Sequence, residues 1–101
     1  MELLALRNDP AKLQRVARTM KTISHETRLS IIELLLENGK MPVKDIYEAV
    51  GISQSNASQH LKALENVAVL GYVREGKNIL YYIKNRNIRN LLQCVNDCVD
   101  C

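Results

Sequence analysis

The chain contains no tryptophan and no phenylalanine, and only two histidines among its 101 residues. An aromatic platform for stacking single-stranded bases is therefore not expected. No apolar run approaches the roughly 20 residues of a membrane span, and the first residues do not follow a signal-peptide pattern. A cytoplasmic protein with no membrane partner is the expectation. Cysteine is missing until the last eight residues, where Cys94, Cys98 and Cys101 stand together. They cannot staple distant parts of the fold. In a cytosolic protein such a cluster suggests reduced thiols used in metal or redox chemistry. There is no Ser/His/Asp constellation and no phosphate-binding glycine loop. Cys98 and Cys101 have Cys-x-x-Cys spacing, but redox motifs of that kind sit at helix N-termini, where the dipole favours a thiolate, and this pair ends a helix. The chain reads as a non-enzyme.

Nearly half of the residues are apolar, which argues against disorder, and the net charge of +3 permits nucleic-acid binding without demanding it. The length suits one domain, residues 1–101, with a core small enough to favour dimerisation. Asp9-Pro10 reads as a helix start, a capping carboxylate followed by proline at the first helical position. Leu13, Val16, Ala17 and Met20 then share one stripe. Ser24 is read as the second cap, with Glu26 in the first turn of a helix that is apolar around much of its circumference from Leu29 to Leu36. Asn38-Gly39 ends it, and Pro42 opens a short third helix with Val43, Ile46, Tyr47 and Val50 facing inward. Gly51 supplies a turn that needs positive φ, and Ser53 caps a fourth helix.

That fourth helix divides its residue types sharply. Stepping about 100° per residue places Leu61 and Leu64 beside Ala57, with Ser55, Ser58, Gln59, Lys62 and Asn66 opposite. Short hydroxyls, amides and one cation are the groups that hydrogen-bond base edges and phosphates. Ser55, Asn56, Ser58, Gln59 and Lys62 are expected in the major groove of a duplex, with Gln54 and His60 supporting at the phosphates. From Tyr72 to Ile83 the period becomes that of a β-hairpin turning at Glu75-Gly76-Lys77-Asn78. Arg74 and Lys77 would reach the flanking backbone or minor groove. Asn85 or Asn87 could cap a closing helix. The order is α-α-α-α-β-β-α, mainly α with a small β-hairpin: a winged helix-turn-helix. The helix-turn-helix occupies 42–66, the wing 71–83 and the last helix 86–100.

Three motifs in this order resemble the ArsR/SmtB family over roughly residues 10–93. His25-Glu-Thr-Arg-Leu29 is similar to the family's entry to its second helix. Ser53-Gln-Ser-Asn-Ala-Ser-Gln-His-Leu-Lys-Ala-Leu64 is similar to its recognition helix, and Arg74-Glu-Gly-Lys77 with Tyr81 to its wing. The resemblance implies a homodimer that binds an inverted repeat in double-stranded operator DNA and represses transcription until an inducer binds. Two departures stand out. Val67-Ala68 replaces the usual Ala-Gly at a helix exit, at a cost of roughly 1 kcal/mol if φ must be positive. Val43-Lys44-Asp45 replaces the Cys-Val-Cys of arsenic and cadmium sensors, and the family's zinc site of Asp and His on the last helix is missing. His60 reads as packing or a phosphate contact, and His25 as solvated or a local hydrogen-bond partner.

On the last helix Leu91, Leu92, Val95 and Val99 fall within about 60° of Ile88. With Leu13, Val16 and Met20 they form the expected dimer face. The cysteines lie on its flank. Cys94 and Cys98, at i and i+4, have Cβ atoms roughly 5–6 Å apart and can share an ion. Cys101 joins only by fraying of the terminal turn or across the dimer. Asp97 and Asp100 point outward and are not counted as ligands. Thiolates alone suit a soft ion: arsenite or antimonite first, then Cd(II), Pb(II) or Zn(II), none of them needed for the fold. Three other readings compete. The cysteines act as a thiol redox or reactive-sulfur switch, they are small hydrophobes at the seam's edge, or the domain is a protein-interaction module without DNA contact.

Overall fold

The computed structural model describes residues 5–100. After one 3-10 turn at Leu6–Asn8, the elements are α1 (Pro10–Ile23), α2 (Glu26–Asn38), β1 (Met41–Pro42), α3 (Val43–Val50), α4 (Gln54–Asn66), β2 (Leu70–Glu75), β3 (Asn78–Ile83) and α5 (Asn87–Val99). Asp9 caps α1, its carboxylate accepting from the Lys12 amide at 3.1 Å. The second cap is His25 rather than Ser24: His25 Nδ1 accepts from the Thr27 amide at 3.1 Å. Ser24 instead closes α1, its hydroxyl donating to the Met20 carbonyl at 2.8 Å. Both residues lie in a tight link, and the backbone enters α2 only after His25.

The hairpin has a third strand beside it. Met41 pairs with Tyr81 and Pro42 with Leu80, so the antiparallel sheet runs β1-β3-β2. Two residues carry no readable alternation, and proline tolerates this place because β1 is an edge. The sheet also begins one residue before the expected wing, at Leu70 opposite Ile83. Gly76 and Lys77 make a two-residue turn in which Gly76 takes φ 63, the positive value that hairpin turns of this length demand at the first position.

The core gathers around α2. Ile31, Ile32 and Leu35 meet Ile46 from α3, Leu61 and Leu64 from α4, and Val69 and Leu70 at the start of the sheet. Ile88 is the one residue of α5 buried there, and Leu92 packs against the cluster. Ala68 sits at φ 61 between α4 and β2, the left-handed conformation anticipated at that exit. This conformation costs an alanine roughly 1 kcal/mol relative to glycine.

Candidate nucleic-acid interface

α3 and α4 are joined through Gly51, at φ 80, whose amide and that of Ile52 both donate to the Tyr47 carbonyl. This ends α3 in three residues and leaves Ser53 extended, its hydroxyl accepting from the Asn56 amide at 3.1 Å. The buried side of α4 is that of Ala57, Leu61 and Leu64. The complementary side carries Gln54, Ser55, Asn56, Ser58, Gln59 and Lys62, all exposed. Six of the seven polar candidates of this helix are therefore exposed. Arg74 and Lys77 are exposed near the tip of the hairpin. The hairpin is tied to α4 by Tyr81, whose hydroxyl donates to Glu65 Oε1 at 3.3 Å. Burial and the adjoining Glu65 carboxylate push the Tyr81 phenol up to about 12, so it remains a donor throughout the neutral range.

His60 is the one member of the set that is half-buried. Its Nδ1 accepts from Arg28 Nε at 3.1 Å, and its ring lies 4.7 Å from that of His25. Arg28 also donates through Nη1 to the Thr22 carbonyl at 3.0 Å. Packing thus occupies the Nδ1 side of His60. Burial first, then the charges of His25 and Arg28, hold its pKa below the usual histidine value. By sequence Arg28 belongs only to a helix-entry motif, and its partner lies 32 residues away, beyond any local signal.

The cysteine stripe lies apart from this surface. Cys94 and Cys98 are exposed free thiols on α5, one turn apart, and Cys101 lies outside the described residues. Among the described residues no three His, Cys, Asp or Glu side chains gather closely enough to hold a metal ion. Asp97 is engaged along the helix, accepting from Gln93 Nε2 at 2.9 Å. On α3, where a Cys-Val-Cys site would fall, Lys44 stands 4.0 Å from Glu48.

A polar, exposed second helix behind a tight turn, flanked by a basic hairpin, defines a winged helix-turn-helix DNA-binding regulator. Comparisons with known proteins place it further. Residues 25–74 match the family described as "Bacterial regulatory protein, arsR family". Over 84 residues the chain is 33% identical to the HTH-type transcriptional regulator NmtR of Mycobacterium tuberculosis, covering 83% of this chain and 69% of that protein. It is 33% identical over 78 residues to the cadmium resistance transcriptional regulatory protein CadC of Listeria innocua, covering 77% of this chain and 66% of CadC. A solution structure of the homodimeric winged helix-turn-helix DNA-binding domain Mb0332 of Mycobacterium bovis, a possible ArsR-family transcriptional regulator, superposes with a TM-score of 0.83. That domain is 29% identical, and the match covers 98% of this chain and 88% of that one. The chain belongs to the arsR family of bacterial regulatory proteins. It is a DNA-binding regulator and not an enzyme, and among its described residues no helix is long and apolar enough to cross a membrane.

Proposed function

We propose that two copies of this chain form a repressor that reads an inverted repeat through α4, and that a soft ion on the α5 thiols releases it. The carrying observation is the contrast within one small domain between a polar reading face and an uncovered apolar one. Leu13 and Met20 on α1 are 41% and 54% exposed, and Leu91, Val95 and Val99 on α5 are 39%, 52% and 77% exposed. A cleft of about 690 Å³ runs between α1, the α4 exit and α5, with Val16, Met20, Val67 and Leu91 among its walls. An apolar face of this kind calls for a partner, and a second copy supplies the two recognition helices that must sit about 34 Å apart on successive major grooves. The homodimeric state of the Mb0332 domain supports this.

Gln54, Ser55, Asn56, Ser58, Gln59, His60 and Lys62 form the proposed reading helix, with Arg74 and Lys77 on the flanks. Cys94 and Cys98 provide two thiolates to the ion, beside the dimer face, and Cys101 is the proposed third. Arsenite or antimonite fits an all-thiolate site best; cadmium is supported by the likeness to CadC. An ion gripped there re-forms the last turns of α5 and alters the angle between the two α4 helices. A thiol-modification switch is the second reading. It is favoured by two exposed thiols without a third donor beside them among the described residues.

A release titration on a duplex selected by the protein from a random-sequence library separates the two. Under strictly reducing conditions, one of arsenite, antimonite, cadmium, lead or zinc is expected to weaken binding about 5- to 150-fold. The triple Cys→Ser variant is expected to keep its DNA affinity and ignore the ion. Release by polysulfide or oxidant alone selects the second reading. Release of the triple variant by the same ions removes the cysteines from the mechanism.

A further inference from the structure

The chain's two histidines come from different elements and meet ring to ring, 4.7 Å apart. Touching imidazoles are a familiar metal seat, but this pair is arranged otherwise. Each Nδ1 already accepts a hydrogen bond, His25 from the Thr27 amide and His60 from Arg28 Nε. A guanidinium against the pair also opposes a bound cation. The centre of the cluster is Arg28. Its two donor atoms reach the Thr22 carbonyl at the end of α1 and His60 in the middle of α4, while Arg28 itself belongs to the first turn of α2. One side chain thus joins three helices, and one of the three carries the candidate base-reading groups.

We propose that Arg28 is the positioning residue of α4: it holds the helix in its reading pose through neutral His60, and protonation of His60 frees the helix and weakens specific DNA binding. This rests on α4 being the reader. The chemistry follows from donor count. Arg28 Nε carries only a proton to give, so His60 Nδ1 must offer a lone pair and the imidazole proton must lie on Nε2. Protonated His60 presents N–H at both nitrogens. A donor then faces a donor, and a cation faces a cation. The charged and titratable groups acting on His60 are His25, from the α1–α2 link, and Arg28, from α2, and both disfavour its protonation. The contact is complete above the usual histidine value of about 6.5 and is lost as pH falls through the lower value that His60 has in the fold. His60 follows Gln59 directly, so a tilt at this contact displaces the row of side chains that must meet base edges within about 2.7–3.2 Å.

The sign distinguishes this role from a simple phosphate contact. A His60 that only touched phosphate would strengthen binding on acidification, by adding positive charge to the interface. Specific and non-specific affinity are therefore measured between about pH 5.5 and about pH 8, using the selected duplex and a scrambled one. Wild type, His60→Asn and Arg28→Lys are compared. Asparagine offers Arg28 an acceptor at nearly the Nδ1 position and does not titrate. Wild type is expected to lose about tenfold in the specific-to-non-specific ratio on acidification, the scale of one charge-assisted hydrogen bond. His60→Asn, which does not titrate in this range, is expected to lose that extra fall, whatever its own ratio at neutral pH. Arg28→Lys is expected to lower the ratio at every pH, because one ammonium cannot span both acceptors in the fork geometry.

Long-range 1H–15N spectra and amide exchange of the free protein give a readout independent of DNA. They should show His60 as the Nε2–H tautomer and, in wild type alone, lower α4 protection factors in acid once exchange is corrected for its intrinsic pH dependence. Parallel pH profiles for wild type and His60→Asn overturn the proposal, as does a ratio that rises in acid or a proton on Nδ1. If Arg28→Lys does not fold, the His60→Asn comparison still decides. If Gln59→Ala leaves the ratio unchanged, α4 is not the reader, and the tautomer and exchange data then test the clamp alone.

Discussion

α4 and α5 are both 13 residues long, yet α4 buries Ala57, Leu61 and Leu64 while α5 buries only Ile88. α4 has its apolar side covered by its own chain and leaves a polar side in solvent. α5 leaves both sides in solvent along most of its length, with Leu91, Val95 and Val99 uncovered. The amphipathic pattern alone does not say where the covering surface comes from. For α4 it is α2, α3 and the start of the sheet. For α5 it is the proposed partner subunit. The same periodicity thus specifies folding in one helix and, in the proposed dimer, assembly in the other.

The strongest way to break that contrast is to remove apolar groups from each side. Leu64→Ala should cost about 2–5 kcal/mol in unfolding free energy, because the cavity lies in a core that α2 and α3 cannot collapse to fill. Val95→Glu, on an exposed position, should leave the secondary structure intact and convert the dimer to monomer in sedimentation velocity. A Val95→Glu variant that still sediments as a dimer would show that α5 is not the seam. Leu92→Glu is a harsher test, since Leu92 packs on the core as well, and it should give a monomer or an unfolded chain.

On the polar side of α4, a single lost base contact is worth about 1–3 kcal/mol. Gln59→Ala should therefore weaken the selected duplex while leaving a scrambled duplex almost unaffected, as read by fluorescence anisotropy. Lys77→Ala should behave differently, lowering affinity for both duplexes and reducing the salt slope by about one unit. Equal losses on both duplexes for Gln59→Ala would move the reading role elsewhere. The smallest effect is expected where α4 meets the sheet. Ala68→Gly should stabilise the protein by about 1 kcal/mol in denaturant titrations, since glycine adopts φ 61 without the Cβ penalty.

Much of the candidate interface was readable because its signals are local. Ser53 and Asp9 cap within three residues, Gly51 turns within one, and the apolar side of α4 repeats at helical spacing. The strained exit at Ala68 was legible for the same reason. Where two neighbours competed for one job, local chemistry ranked them wrongly. Ser24 is the stronger capping residue by type, but the chain turns at His25, and an imidazole nitrogen takes the amide.

Residue identity and spacing determined the winged helix-turn-helix order, the polar face of α4 and the apolar stripes of α1 and α5, because these depend on contacts within a few turns. Packing decided what crosses the fold. It paired Met41–Pro42 with β3 some 40 residues later, joined Tyr81 to Glu65, and set Arg28 on His60 across 32 residues. Such contacts have no period to betray them. They exist only once the core of Ile31, Ile32, Leu35, Ile46, Leu61 and Leu64 has fixed α2 against α4, because a hydrogen bond between distant residues needs both groups held within about 3 Å.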